Sequence, residues 1–115
     1  MLREILFYRN YFEDFYEAQT KDIQEKIDYV LDLISNVERV PAKFFLYLES
    51  TDGLYEIRVK VGSNIYRIFC FFDEGKLVVL INGFQKKTEK TPNKELRKAE
   101  KIKKDYFKEK EEGER

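Results

Sequence analysis

Charged side chains occupy alternate positions in two segments that otherwise have the composition of buried strands. In the segment 54–61, Glu56, Arg58 and Lys60 share one face, and Arg67 lies in the next apolar segment. A guanidinium donates two parallel hydrogen bonds, which match a phosphate better than the single charge of a lysine does. The pattern fits a phosphate-binding site, and it also fits a salt-bridge network of Glu56, Arg58 and Arg67 on a solvated face.

The loop between the two segments decides whether the two arginines meet. Gly62-Ser63-Asn64 predicts a hairpin, and pairing centred near Ser63 would bring Arg58 close to Arg67. A slip of one residue would put them on opposite faces. Two like charges on the same face would repel each other unless an anion or Glu56 lies between them.

A lysine-rich stretch follows the third predicted strand, and it contains Lys86, Lys87, Lys90 and Lys94. The net charge of the chain is zero, yet residues 81–104 hold nine basic residues against three acidic ones. Thr91-Pro92 predicts the start of a helix beside these lysines, and helix N-termini attract phosphates. The stretch is therefore either an anion-binding surface or a solubilising charge run.

Aromatic residues are interleaved with these cations. The phenylalanines are expected in the core, whereas the hydroxyl groups of Tyr55 and Tyr66 favour more open positions, where a ring can stack on a base.

Several kinds of active site are excluded by composition. The chain has no histidine and only one cysteine, which rules out a Ser-His-Asp triad and the common zinc-ligand sets. It contains no GxxxxGK[ST] phosphate loop.

The elements that must position these residues follow from periodicity. Residues 3–9 alternate as a first strand, residues 11–35 have a helical pattern broken near Thr20, and residues 43–50 form a short turn or extended lead-in. Three strands joined by short loops follow, and a last helix is expected with Thr91 as its N-cap. This order predicts an α+β domain in which two N-terminal helices pack on a small, twisted, antiparallel meander sheet, with a C-terminal helix.

Length and composition complete the outline. Residues 1–110 are expected to form a single domain, and residues 111–115 a frayed, charged tail. The lone Cys70, the acidic N-terminal segment and the absence of a long apolar run predict a cytoplasmic protein without a membrane segment.

Three motifs of the chain are Leu54-Tyr55-Glu56-Ile57-Arg58, Tyr66-Arg67-Ile68-Phe69, and residues 80–88 with Thr91-Pro92. Together they resemble the HigB-like branch of the RelE/ParE toxin superfamily. Members of this branch are small phage- or plasmid-associated toxins of type II toxin–antitoxin modules. The similarity covers roughly residues 50–106. It implies a compact RelE-like fold and a helix-turn-helix, HigA-like antitoxin as partner.

The resemblance also implies an activity. Such toxins cleave messenger RNA on the ribosome by in-line attack of the 2′-hydroxyl on the adjacent phosphate, without a metal or cofactor. By matching motif, Arg58 and Arg67 would hold the scissile phosphate, and Glu56 or Lys60 would transfer protons. The implied RNA contacts are Tyr55, Asn82, Lys86, Lys87 and Lys90.

Asn82 departs from the pattern of many relatives, which have a histidine at this position. An amide binds a phosphate or a base but does not titrate. Whether the chain is an enzyme is therefore left open by the sequence. The alternatives are a ParE-like toxin that binds gyrase without cutting RNA, and a catalytically degenerate phage-derived relative.

Overall fold

The structure is a computed structural model that describes residues 1–87 and 91–113. Its elements, in chain order, are β1 (Glu4–Phe7), α1 (Tyr11–Glu17), α2 (Lys21–Asn36), β2 (Phe45–Tyr47), β3 (Leu54–Val61), β4 (Asn64–Asp73), β5 (Leu77–Lys86) and α3 (Asn93–Gly113). The predicted α+β class is confirmed.

The sheet has five strands in the spatial order β1-β5-β4-β3-β2. The predicted antiparallel meander is present in the consecutive strands β2 to β5. The prediction of a wholly antiparallel sheet is wrong, because β1 runs parallel to β5 with Glu4 opposite Leu77. The sheet is therefore mixed. Two helices separate β1 from the later strands, and after so long a connection the alternation of side chains does not determine the direction of pairing.

The segment expected as a turn or lead-in contains β2, which pairs antiparallel with β3 at Phe45 and Ile57. The rings of Phe45 and Tyr55 stack with their centroids 5.1 Å apart. Three residues are too few for alternation to distinguish a strand from an extended lead-in, so pairing with β3 decides the assignment.

The sheet is covered on both faces, and each face has its own core cluster. One cluster joins Phe12 of α1 and Ile27, Val30 and Ile34 of α2 to Ile57, Val59, Ile68, Cys70 and Leu80. The other joins Ala99 and Ile102 of α3 to Leu54, Phe69, Phe71, Val79 and Ile81. Glu56 and Arg67 alternate with the strand residues of the first cluster, so they lie on the face that α3 covers.

The helix boundaries differ from the predictions in detail. The break near Thr20 is confirmed, since α1 ends at Glu17 and α2 begins at Lys21. α3 begins at Asn93 rather than directly after Thr91, and the carbonyl of Pro92 accepts its first helical hydrogen bond, from the amide of Leu96 at 3.1 Å.

The last helix, α3, extends to Gly113 and so includes residues 111–113 of the predicted charged tail. Residues 114–115 lie outside the described part of the chain. Among the described residues, no helix is both long and apolar enough to span a membrane.

Candidate functional site

The two arginines lie directly opposite each other on neighbouring strands. β3 and β4 pair antiparallel with Arg58 opposite Arg67 and Val61 opposite Asn64. The sequence predicted the hairpin and left a slip of one residue open; the structure centres the pairing between Gly62 and Ser63, which puts the two arginines directly opposite each other. Both arginine side chains therefore project from the face of the sheet that α3 covers. Two like charges thus occupy directly opposed positions of a β ladder.

Glu56 lies between them and accepts hydrogen bonds from both. Its Oε2 is 2.9 Å from Nε of Arg58, and the same oxygen is bound by Nη1 of Arg67. The side chain of Glu56 is fully buried, whereas those of Arg67 and Arg58 are 6% and 34% exposed. The salt-bridge network that the sequence allowed therefore exists, but it is largely buried instead of lying on a solvated face.

The second oxygen of Glu56 connects the network to the segment that leads into α3. Oε1 of Glu56 accepts a hydrogen bond of 3.3 Å from the hydroxyl of Thr91. Thr91 was predicted as a helix cap, so its contact with the site was missed. A residue pattern cannot reveal such a contact, because it depends on how the helix is placed on the sheet.

Asn82 reaches the same face because of a β-bulge. Between Ile68–Gly83 and Cys70–Leu80, β5 has one residue more than β4. Nδ2 of Asn82 donates to the carbonyl of Glu95 in α3 at 3.4 Å, and the residue is only 3% exposed. The bulge was not predicted, although a glycine inside a strand, here Gly83, is a recognised indication of one.

Two buried polar atoms at this site lack partners within the described part of the chain. They are Nε of Arg67, a donor, and Oδ1 of Asn82, an acceptor. Most buried polar atoms in folded proteins are hydrogen-bonded, so atoms without a partner often mark a place for water or a ligand. Both belong to side chains on the face covered by α3.

The predicted lysines lie at the edge of this arrangement or beyond it. Lys60 is exposed and lies two residues after Arg58 in β3, so it shares the face of Arg58. Lys86 is half-buried at the end of β5, and Lys87 is exposed directly after it. Lys90 lies outside the described residues.

The tyrosines proposed for base stacking lie on the other side of the sheet. Tyr66 is buried in the cluster beneath α1 and α2. Tyr55 packs against the rings of Phe45 and Phe72, each with a centroid distance of 5.1 Å. The sheet therefore separates both tyrosines from Arg58.

The chemistry available at this site is electrostatic. Two guanidinium groups outnumber one carboxylate, and the helix N-terminus beside them adds partial positive charge. The described residues contain no cluster of acidic or cysteine side chains that could hold a metal ion. The arrangement is suited to an anion that approaches from the exposed side of Arg58.

Comparison with known proteins gives a family and a fold. A family model described as Phage derived protein Gp49-like (DUF891) matches residues 14–104. Among solved structures, the chain is similar to one in the crystal structure of the archaeal RelE–RelB complex from Pyrococcus horikoshii OT3. The TM-score is 0.53 at 20% identity, over 72% of this chain and 93% of that one. No curated protein matches the chain. The match over residues 14–104 means that this chain belongs to the Gp49-like family of phage-derived proteins.

Proposed function

We propose that this protein is the toxin of a type II toxin–antitoxin module and that it cleaves messenger RNA on the ribosome. Three observations support the proposal: membership of the Gp49-like family, the fold shared with a chain of an archaeal RelE–RelB complex, and sequence motifs similar to HigB-like toxins. The opposed pair of Arg58 and Arg67 is the observation that carries the proposal, because it provides the positive charge that a scissile phosphate requires.

Arg58 is the group best suited to bind the scissile phosphate. Its Nε is held by Glu56, while no hydrogen bond to its two terminal nitrogens is formed by the residues that the structure describes. A third of the side chain is exposed. A guanidinium oriented in this way presents a preorganised fork to a phosphate, and such fixed donors stabilise the charge that develops in a transition state.

Glu56 is better suited to orient the arginines than to transfer a proton. One of its oxygens is engaged by both arginines and the other by Thr91, and the side chain is closed to solvent. We therefore assign Glu56 a positioning role. Of the two residues that the resemblance implied for proton transfer, Lys60 is the one with free access to solvent.

The proposed reaction is a transesterification within the RNA. The 2′-oxygen attacks the adjacent phosphorus and loses its proton to a base while the bond to the 5′-oxygen breaks, and that oxygen takes up a proton. The products are a 2′,3′-cyclic phosphate and a 5′-hydroxyl. The protein would contribute the in-line geometry and the positive charge around the phosphate.

We infer a cytoplasmic location and a cognate antitoxin, which in HigB-like modules is a helix-turn-helix protein of the HigA type. The archaeal RelE in the similar structure is bound to RelB, which supports a partner of this general kind. An acidic antitoxin segment would be electrostatically complementary to the cations around Arg58.

The test is cleavage of messenger RNA in a purified translation system by the wild-type protein and by Arg58→Ala. Loss of a preorganised donor to the transition state is expected to lower the cleavage rate by about 10²–10³-fold. Cleavage sites are mapped by primer extension, and the cyclic phosphate is identified by its resistance to ligation at the 3′ end.

Arg39→Ala is the matched control, because Arg39 is an exposed arginine in the connection between α2 and β2. It should cleave like the wild type. Full activity of Arg58→Ala would exclude the proposed site. Growth arrest with intact messenger RNA and damaged DNA would instead indicate a gyrase-binding toxin.

A further inference from the structure

Exposed charges are divided between the two faces of the molecule. The helices on one face, α1 and α2, expose seven carboxylates, those of Glu13, Asp14, Glu17, Asp22, Glu25, Asp28 and Asp32, against one exposed lysine, Lys21. On the other face, α3 exposes six cations. Although the net charge is zero, the molecule therefore has one acidic face and one basic face. A polyanion would be attracted to the face that α3 covers.

The cations of α3 form a continuous basic ridge, which consists of Lys94, Arg97, Lys98, Lys101, Lys104 and Lys108. Their spacing of three and four residues places them on one side of the helix, opposite the buried Ala99 and Ile102. From the first to the last, the ridge extends about 21 Å at the rise of an α-helix. Lys101 forms an ion pair with Asp105 at 3.4 Å. The exposed carboxylates in the described part of α3 all follow Lys108.

The ridge is unfavourable for the helix itself. Lys94 and Arg97 lie in the first turns of α3, where the helix dipole disfavours positive charge. Lys94 with Lys98, and Arg97 with Lys101, are like charges four residues apart, which destabilise an isolated helix. Charges that oppose local stability commonly reflect a function.

The ridge begins at the candidate site. The hydroxyl of Thr91 binds Glu56, and Asn82 binds the carbonyl of Glu95 in the first turn of α3. These contacts hold the first turn of α3, from which the ridge starts, beside Glu56 and Asn82. A phosphate backbone that reaches Arg58 can therefore continue along α3.

The chemistry of the ridge favours a nucleic acid over a protein. Protein interfaces are depleted of lysine at their centre and enriched in aromatic residues, whereas this ridge has five lysines and an arginine. None of the large apolar side chains that the described structure exposes belongs to α3. A regular row of cations without apolar groups matches a phosphate backbone.

We propose that the basic ridge of α3 is a second RNA-binding surface that contacts the backbone of structured RNA, separately from the arginine pair. The choice of RNA over DNA rests on the proposed function. Contacts of this kind carry no sequence information, and they anchor and orient the protein while the site selects the bond to be cut.

The test measures binding of the full chain to a fluorescent RNA duplex as a function of salt concentration. The substitutions Arg97→Gln, Lys101→Gln and Lys104→Gln are combined in one variant. Each lost phosphate contact lowers the slope of log K against log salt by somewhat less than one, so the slope is expected to fall by about 2 to 3.

The control variant combines Lys21→Gln, Arg39→Gln and Lys43→Gln, which removes the same net charge from exposed positions outside α3. It should keep the wild-type slope. Equal slopes for the two triple variants would overturn the proposal. So would loss of antitoxin binding by the ridge variant with unchanged RNA binding, because the ridge would then be a protein interface. A DNA duplex of the same sequence that binds more tightly than the RNA would overturn the choice of RNA.

Two further measurements separate this proposal from the proposed function. Thermal unfolding of the ridge variant should occur at or above the wild-type temperature, because the unfavourable charges have been removed. A lower unfolding temperature together with weak RNA binding would indicate misfolding and count against the ridge.

Arg58→Ala should retain most of the salt dependence of RNA binding. If Arg58→Ala cleaves normally while the ridge variant loses RNA affinity, the proposed site fails and the ridge stands.

Discussion

At the scale of single residues, Glu56 determines what the two arginines can do. Like charges opposite each other on a β ladder are unfavourable, and a buried carboxylate alone is more unfavourable still. In the group of three, Glu56 neutralises one of the two positive charges and fixes the direction of Arg58. The two arginines nevertheless differ, since Arg67 is buried and Arg58 is a third exposed.

Arg67→Ala is therefore expected to destabilise the protein far more than Arg58→Ala. Removal of Arg67 leaves the fully buried Glu56 with a single, partly exposed cationic partner, and breaking a buried ion pair typically costs about 3–5 kcal/mol. Removal of Arg58 should cost about 1 kcal/mol or less. Urea unfolding followed by circular dichroism gives both values.

The double variant Glu56→Gln/Arg67→Ala identifies the cause, because it leaves the same volume at position 67 as Arg67→Ala. It removes the buried charge together with its partner, so it should be more stable than Arg67→Ala. Equal destabilisation of the two variants would mean that lost packing, and not the uncompensated carboxylate, explains the effect.

At the scale of elements, strand β5 shows where sequence patterns stop being informative. Its apolar run predicts a strand buried on both faces, and Val78–Asn82 are all buried. The bulge before Gly83 adds one residue to β5 and so changes which side chains face α3. Alternation counted along the chain cannot reveal such an added residue. Gly83 also allows α1 to approach, because Phe15 lies where a side chain would be.

Gly83→Ala is expected to destabilise the protein by about 1–3 kcal/mol, the usual cost of overpacking. The added Cβ would lie 2.7 Å from Cγ and Cδ2 of the Phe15 ring. The measurement is the change in the free energy of unfolding. In the background of Phe15→Ala, which removes the ring, the same substitution should cost much less. A cost that is unchanged in this background would place the conflict elsewhere in β5.

At the scale of the whole molecule, α3 is attached to the sheet at both ends. Its N-terminal end is held near Glu56 and Asn82. Its C-terminal half is held by Asp73 at the end of β4, which accepts hydrogen bonds from Tyr106 at 2.6 Å and from Lys110 at 3.0 Å. Burial tends to raise the pKa of Asp73, but these two donors outweigh it and lower the pKa below its usual value. Burial and the bond to Asp73 raise the pKa of Tyr106 to about 12.

This attachment predicts an acid-sensitive contribution to stability. A carboxyl group whose pKa is lower in the folded than in the unfolded state stabilises the fold fully above its unfolded pKa of about 3.9. The contribution is lost as the pH falls through the lower folded value. Unfolding free energies measured between pH 7 and pH 2 should therefore decline less steeply in Asp73→Asn than in the wild type. Parallel curves would show that other carboxylates dominate.

The sequence by itself determined the α+β class and the β3–β4 hairpin, because short loops and alternating side chains are local properties. It left open whether the register places Arg58 and Arg67 on one face, and the structure puts them directly opposite each other. Only the tertiary structure decided that β1 joins the sheet in parallel, that Glu56 is sealed between the two arginines, and that Thr91 and Asn82 reach the site from distant parts of the chain. These features arise when helices pack on the sheet, and packing joins residues that no short-range pattern relates. The same holds for the cations of α3: their spacing is visible in the sequence, but only the burial of the opposite side of the helix turns them into one exposed ridge that begins at the arginine pair.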